Sequence, residues 1–349
     1  MGEKSSAKVK VAGINQVAIV VKDLHKTVEN YWNILGIGPW DIYLWEAPLV
    51  YNRKYQGKPA WAREKIALAQ VGAIQLELCQ PVEGDSIYQD FLDEHGEGLQ
   101  HMGFSVDNLD ETVEALANQG FPNVQSACCG RSEYDCRYNY IDIKPLACTW
   151  EPTCCKEGIA AGPTSRYPDT TQKSPAKVNV TGIDHVAIVV KDLHKTAENY
   201  WNILGIGPWD IYLWEAPLVY NRKYQGKPAW AREKIALAQV GAIRLELCQP
   251  VEGDSIMQDF LDEHGEGIHH MGFLVDDLDK TVEVLANQGF PSLQSACCGR
   301  SEYDCRYNFI DIKPLACTWE PVCCKGGIAA GPASHYPDTA QISPAKVKV

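Results

Sequence analysis

Apolar runs of strand length alternate along this chain with stretches whose apolar residues recur at helical spacing. In the second half, the run HVAIVV at 185–190 reads as a strand ended by Lys191-Asp192-Leu193. Residues 195–204 follow with Ala197, Tyr200, Trp201 and Leu204 on one helical face, and Gly205, Gly207 and Pro208 stop that helix. Three strands come next, at 209–214, 231–240 and 242–248, the last two divided by a turn at Gly241. The pattern then recurs: a strand at 270–275, a helix at 280–288 stopped by Gly289, and strands around Leu293, at 307–312 and at 316–320. HVAIVVKDL and HMGFLVDDL align as the same opening used twice, so the periodicity predicts two βαβββ units in this half.

The first half repeats the second. Shifting the sequence by 169 residues superposes 11–155 on 180–324 with 16 differences in 145 positions and no gap. That period is far above the ~20–50 residues of solenoid repeats, so each copy is a whole domain and the chain holds four units. The expected division is a domain at 9–155, a Gly/Pro/Ser/Thr-rich linker at 156–179, a second domain at 180–324, and a linker-like tail at 325–349. A linker with nothing after it suggests either a piece of a longer array or a duplicated tail from a gene fusion.

Composition narrows the function classes. Among 349 residues, 45 Asp and Glu outnumber 32 Lys and Arg, giving a formal charge of −13 and no cationic run for nucleic acid. No stretch approaches the ~18–20 apolar residues of a membrane span, and MGEKSSAKVKV has no apolar signal core. These features predict a cytoplasmic protein with neither nucleic-acid nor membrane partners. The 14 cysteines fall seven per copy, an odd number that argues for reduced thiols over a closed disulfide framework.

Strand alternation then selects candidate chemistry. On the face away from the helices, four strands of the second copy present His185, Glu246, His270 and Glu320. Two imidazoles and two carboxylates suit a borderline divalent cation such as Zn, Ni, Co, Mn or Fe. The other reading of the same four is unrelated strand-end polar groups meeting solvent. The corresponding residues of the first copy are Gln16, Glu77, His101 and Glu151, and the differences Gln16/His185, Gln75/Arg244 and Ser105/Leu274 are expected on the inner face.

The blocks HVAIVVKDL, YWNILGIGPW, LELCQPVEGDSI and FLDEHGEGIHHMGFLVDDL resemble the vicinal oxygen chelate superfamily, with methylmalonyl-CoA epimerase and glyoxalase I as the most similar branches. The resemblance covers nearly all of both copies. It implies an α+β fold in which paired βαβββ modules form cupped mixed sheets, two such domains in tandem, with one divalent metal in each. Position by position it implies the ligands His185, Glu246, His270 and Glu320, and Gln16, Glu77, His101 and Glu151. Epimerases carry Gln where Glu246 stands; a Gln/Glu/His/Glu set is that of animal-type glyoxalase I. His269, beside a ligand, is expected to point away.

The implied activity is isomerase, epimerase or lyase chemistry by proton transfer next to a metal-chelated carbonyl, on a small substrate with vicinal oxygens. Glu246, Glu320, Glu77 and Glu151 are the candidate bases, and Glu215 is a weaker one. Arg244, Gln75, Arg222 and Arg53 are candidate substrate-binding residues. The alternatives are a dioxygenase of this fold, which normally uses two His and one Glu, or a non-catalytic small-molecule binding protein. Pairing of domains within the chain and homo-oligomers both remain open.

Overall fold

Val186, Ile188 and Val190 are buried beneath a helix, while Ala187 and Val189 join a separate apolar cluster on the opposite face. A strand buried on both sides has to be apolar throughout, which is why HVAIVV shows no polar alternation. The computed structural model describes residues 5–130, 136–155, 159, 162–168, 173–299, 305–324, 328 and 331–338.

In the first half the elements run β1 (Gln16–Val20), α1 (Leu24–Leu35), β2 (Trp40–Trp45), β3 (Val50–Tyr55), β4 (Lys58–Pro59), β5 (Ala62–Val71) and β6 (Ile74–Gly84). Then come α2 (Ile87–His95), β7 (Gly98–Ser105), α3 (Leu109–Ala117), β8 (Asn123–Cys129), β9 (Cys136–Ile143), β10 (Cys148–Cys155) and β11 (Ser165–Tyr167). The second half repeats these elements 169 residues later, apart from a Gln294–Cys298 strand shorter than its counterpart β8. Asp23 caps α1 by accepting from the Lys26 N–H, and Gly36 ends it at φ 68°, a left-handed turn suited to glycine.

Among the described residues each half forms one eleven-stranded mixed sheet, in the first ordered β11-β2-β5-β6-β1-β7-β10-β9-β8-β3-β4. The two βαβββ units meet edge to edge where β1 pairs antiparallel with β7. Strands β2 and β3 stand eight places apart in that order, about 38 Å in a flat sheet. The four residues that join them reach no more than about 18 Å, so the sheet has to curl into a cup. This is the α+β architecture of cupped mixed sheets expected from the sequence.

The first helix of each half, α1 and its counterpart Leu193–Leu204, packs outside its cup and against the other half. One continuous core joins Tyr31, Trp40 and Trp150 with Tyr200, Trp209 and Trp319, and all four of these tryptophans are fully buried. The Tyr31 hydroxyl donates to the Leu315 carbonyl at 3.0 Å, and the Tyr200 hydroxyl donates to the Leu146 carbonyl at 2.9 Å. Val178 and Val180, where the second repeat begins, are buried in this core, and the Val180 N–H donates to Leu35 O of the first half. Val9 and Val11 do the same on the second half, through Leu204 O. No described helix is long and apolar enough to cross a membrane.

The structure departs from the sequence reading in several places. Part of the expected linker is an edge strand, β11, paired with β2, and Ser334–Tyr336 of the expected tail pairs with Trp209–Trp214. The hairpin β3–β4 and helix α2 were not foreseen. Cysteines expected to be reduced include two disulfides, Cys136–Cys155 and Cys305–Cys324, each across neighbouring strands β9 and β10 or their counterparts.

Candidate metal centres

Four neighbouring strands at the middle of each sheet build the site. In the second half they are Cys317–Cys324, Gly267–Leu274, His185–Val189 and Ile243–Gly253, in that lateral order. Register sets Ala187 opposite both Glu246 and His270, and Gly272 opposite both His185 and Glu320. One donor atom from each of His185, Glu246, His270 and Glu320 fits within a 4.8 Å cluster. His185 Nε2 lies 2.7 Å from Glu320 Oε2 and 3.4 Å from Glu246 Oε2, while His270 Nε2 lies 3.4 Å from Glu320 Oε2. Gly272 is required here, because a Cβ on it would land on the His185 ring.

The first half brings Glu77, His101 and Glu151 together in the same way. His101 Nε2 is 3.3 Å from Glu77 Oε2 and 3.5 Å from Glu151 Oε2. Gln16 reaches the same place, its amide donating to Glu77.

The surroundings of the two clusters differ. His185 Nδ1 sits 2.9 Å from Asp184 Oδ2, and Asp184 also accepts from the Arg244 guanidinium. At the matching positions the first half has Asn15, Gln16 and Gln75, all neutral. Conversely, His101 is flanked by Tyr88 and Tyr140, whose buried hydroxyls lie 2.5 Å apart, where the second half has Met257 and Phe309.

Electrostatics follow the donor count. Burial alone would lower the His185 pKa, but the carboxylates of Glu320, Asp184 and Glu246 raise it to about 10. Burial alone would raise that of Glu320, but His185 and His270 hold it down at about 2. In the first half burial works against His101 too, and Glu151 and Glu77 raise it to about 9. With a single imidazole to serve two carboxylates, Glu151 stays above its ordinary value because of burial.

These residues fit a divalent cation. His101 Nε2, His185 Nε2, His270 Nε2 and Glu151 Oε2 are all buried and meet only one another or neighbouring carboxylate oxygens, at 2.7–3.5 Å, without an aligned hydrogen bond. Leaving such a group unsatisfied costs about 1–3 kcal/mol, and four of them converge on two points that a cation would satisfy. Asp184 behind His185 is the carboxylate–imidazole arrangement that orients a metal-binding histidine.

Other expected site residues lie elsewhere. Arg53 is buried and bidentate to Glu64 at 2.9 and 2.6 Å, and Arg222 donates to Glu233 at 2.5 Å; these guanidiniums hold buried carboxylates and are not open loop cations. Glu215 pairs with Arg232 at 2.6 Å, outside the cluster. Leu274, expected inside the cup, is 60% exposed. His269 sits at a register shift where the strand bulges, packs on Phe260, and has Nδ1 2.9 Å from His270 Nδ1. It lines a separate cavity of about 840 Å³ between the halves. Asp184, Gly272 and the Tyr88–Tyr140 pair were not singled out from sequence, although three of those positions are among the 16 differences between copies.

Comparison with known proteins agrees with this architecture. The sequence model described as Glyoxalase/Bleomycin resistance protein/Dioxygenase superfamily matches residues 15–140 and 184–309. The uncharacterized protein YqjC of Bacillus subtilis (strain 168) is 28% identical over 106 residues, covering 30% of this chain and 66%, just under two thirds, of that protein. A triple mutant of 4-hydroxymandelate synthase from Streptomyces coelicolor superposes with TM-score 0.61 at 17% identity, over 93% of this chain and 95% of that one. A xylose isomerase-like TIM barrel/4-hydroxyphenylpyruvate dioxygenase fusion protein gives TM-score 0.50 at 12% identity, over 94% of this chain and 51% of that one. At these identities the likeness is one of fold.

Proposed function

We propose that this chain, which belongs to the Glyoxalase/Bleomycin resistance protein/Dioxygenase superfamily, is an enzyme holding one divalent metal ion in each half and moving a proton next to a chelated carbonyl. Isomerase, epimerase or lyase chemistry is the reading. The observation that carries it is the convergence of buried imidazole nitrogens and two carboxylates on one point in each cup. His185, Glu246, His270 and Glu320 are the ligands in the second half; Gln16, Glu77, His101 and Glu151 are those in the first. Bound there, the cation (Zn, Ni, Co, Mn or Fe) supplies a Lewis acid that polarises a carbonyl and acidifies the C–H beside it.

The chain's own residues then handle the proton. Glu320 faces two imidazoles that stabilise its charge, which makes it a weak base. Glu246 lies beside one of them, at 3.4 Å, and is the better placed to take a proton from the substrate carbon and return it. Glu77 holds the corresponding place in the first half, with Glu151 matching Glu320. Trp214, Ile235 and Phe309 line the second cup and keep water from the reacting centre.

A dioxygenase is the second reading, favoured by the likeness of fold to the 4-hydroxymandelate synthase mutant across both halves. Against it stands the donor count, since an oxygen-activating iron site uses two histidines and one carboxylate and keeps positions open. The two readings separate on one experiment. Small 2-oxo and 2-hydroxy carbonyl compounds are incubated with metal-loaded protein in D₂O under an oxygen electrode. Deuterium at the carbon beside the carbonyl without oxygen uptake supports proton transfer; stoichiometric oxygen uptake with iron bound replaces it with the dioxygenase.

A further inference from the structure

The two cups differ in charge at one place, and the difference comes as a set. Asp184, His185 and Arg244 of the second half replace Asn15, Gln16 and Gln75 of the first. Arg244 stands directly beside His185 in the register of parallel strands, with its side chain on the inner face. One of its amino groups donates to Asp184, which leaves most of its five N–H donors for another partner. Its side chain is 36% exposed, so it reaches the mouth of the cup.

Among the described residues lining that cavity, Arg244 is the one arginine or lysine. The other two arginines considered as anchors, Arg222 and Arg53, are already spent on buried Glu233 and Glu64. The cavity itself is about 70 Å³, well below the ~300–1,000 Å³ of sites for drug-sized ligands. Its other walls are mainly apolar, formed by side chains such as Trp214, Ile235, Met257 and Phe309.

We propose that the second-half site selects a small carboxylate-bearing ligand through Arg244, and that the first-half site, with Gln75 at that position, does not. The inference rests on the metal-centre reading above and adds to it the substrate class of one of the two sites. Asp184 is the positioning residue: it holds both the His185 ring and the guanidinium, so the two are set relative to each other. A carboxylate with an oxygen on the adjacent carbon meets the donor cluster at one end and the planar fork of Arg244 at the other.

The test compares glycolate with its neutral isostere glycolamide, titrated by calorimetry into manganese-loaded protein. Wild-type protein is expected to bind one glycolate at least about ten-fold more tightly than glycolamide, the size of a charged hydrogen bond. Arg244→Gln installs the residue the first half already tolerates and is expected to remove that preference while metal content stays unchanged. Asn15→Asp with Gln75→Arg is the reciprocal change and is expected to create a second glycolate-selective site, whether or not Arg244→Gln folds. Unchanged glycolate preference in Arg244→Gln, with metal bound, overturns this inference and leaves the metal centres standing. Failure of either half to take up metal overturns the earlier reading and this inference with it.

Discussion

The two halves share 129 of 145 aligned residues, and six of the 16 differences fall where the cups are built. Asn15/Asp184, Gln16/His185, Gln75/Arg244, Tyr88/Met257, Gln100/His269 and Tyr140/Phe309 all lie in or directly against the two donor clusters. Several change as partners. Two hydroxyls that bond each other become Met and Phe together, and Asn15, whose amide donates to Ser105, is matched by Asp184 paired with the Arg244 guanidinium. Changes of this kind remove or add both members of a polar contact together, so neither leaves a buried group stranded while the site is altered. One scaffold thus carries two electrostatic designs, one imidazole facing two carboxylates in the first cup and two in the second.

The sharpest way to break the comparison is at a glycine. Gly272→Ala places a methyl group on the His185 ring, whereas the same change at Gly103 meets the Gln16 Cβ at 3.0 Å and the Glu151 carboxylate at 3.3 Å. Gly272→Ala is expected to abolish metal uptake by the second half, and Gly103→Ala to weaken uptake by the first only partly. Metal content by mass spectrometry of the two variants checks this, and equal loss in both would contradict the geometry.

Asp184→Asn sharpens it further. Loss of the carboxylate behind a ligand histidine typically costs about 10–100-fold in metal affinity. That loss is expected in the second half alone, because Asn15→Asp in the first half finds Gln16 and no imidazole to orient. Competition with a chromophoric chelator measures both.

The imidazoles also predict how metal-free protein responds to pH. His185 and His101 have folded pKa values raised to about 10 and about 9, above the ~6.5 of the unfolded chain. Their stabilising contribution is therefore complete below about pH 6.5 and is lost as pH rises through the folded values. Urea midpoints in EDTA are expected to fall between pH 6.5 and 10, and His185→Gln to remove the upper part of that fall. A midpoint that rises over this range would contradict the pairing.

The smallest expected effect concerns the seam between halves. Tyr31→Phe and Tyr200→Phe each delete one buried hydroxyl bonded to a carbonyl of the other half, at a cost of about 1 kcal/mol. The two costs should match, since here the copies are equivalent. Chemical denaturation of the two variants compares them, and a marked inequality would show that the seam is not symmetric.

Much of the frame was legible because it depends on local pattern. The strands at Trp209–Trp214 and Ala231–Val240 fall where alternation and turn residues put them, and Gly205 ends its helix at φ 67° as a left-handed stop. Helix α2 escaped because only Ile87 and Tyr88 of its nine residues are buried, too few to show a period. The β3 strand escaped because its pairing with β8 is set by closure of the cup, not by neighbours in sequence. The disulfides depend on lateral register, which places Cys136 opposite Cys155 and which no spacing rule supplies. At the clusters, parity of strand faces put His185, Glu246, His270 and Glu320 on one side, but the groups behind them, Asp184 above all, are joined to them only through folded contacts.

The central claim is that each half assembles its own metal centre and that the two are unequal. Calorimetric titration of chelator-treated protein with manganese or zinc tests it most directly, alongside the double variants His270→Ala/Glu320→Ala and His101→Ala/Glu151→Ala. The account predicts about two equivalents in wild type with separable affinities, and one equivalent in each double variant, of a different affinity in the two. Uptake of a single ion, or an ion lost from both halves when either pair is removed, would contradict it.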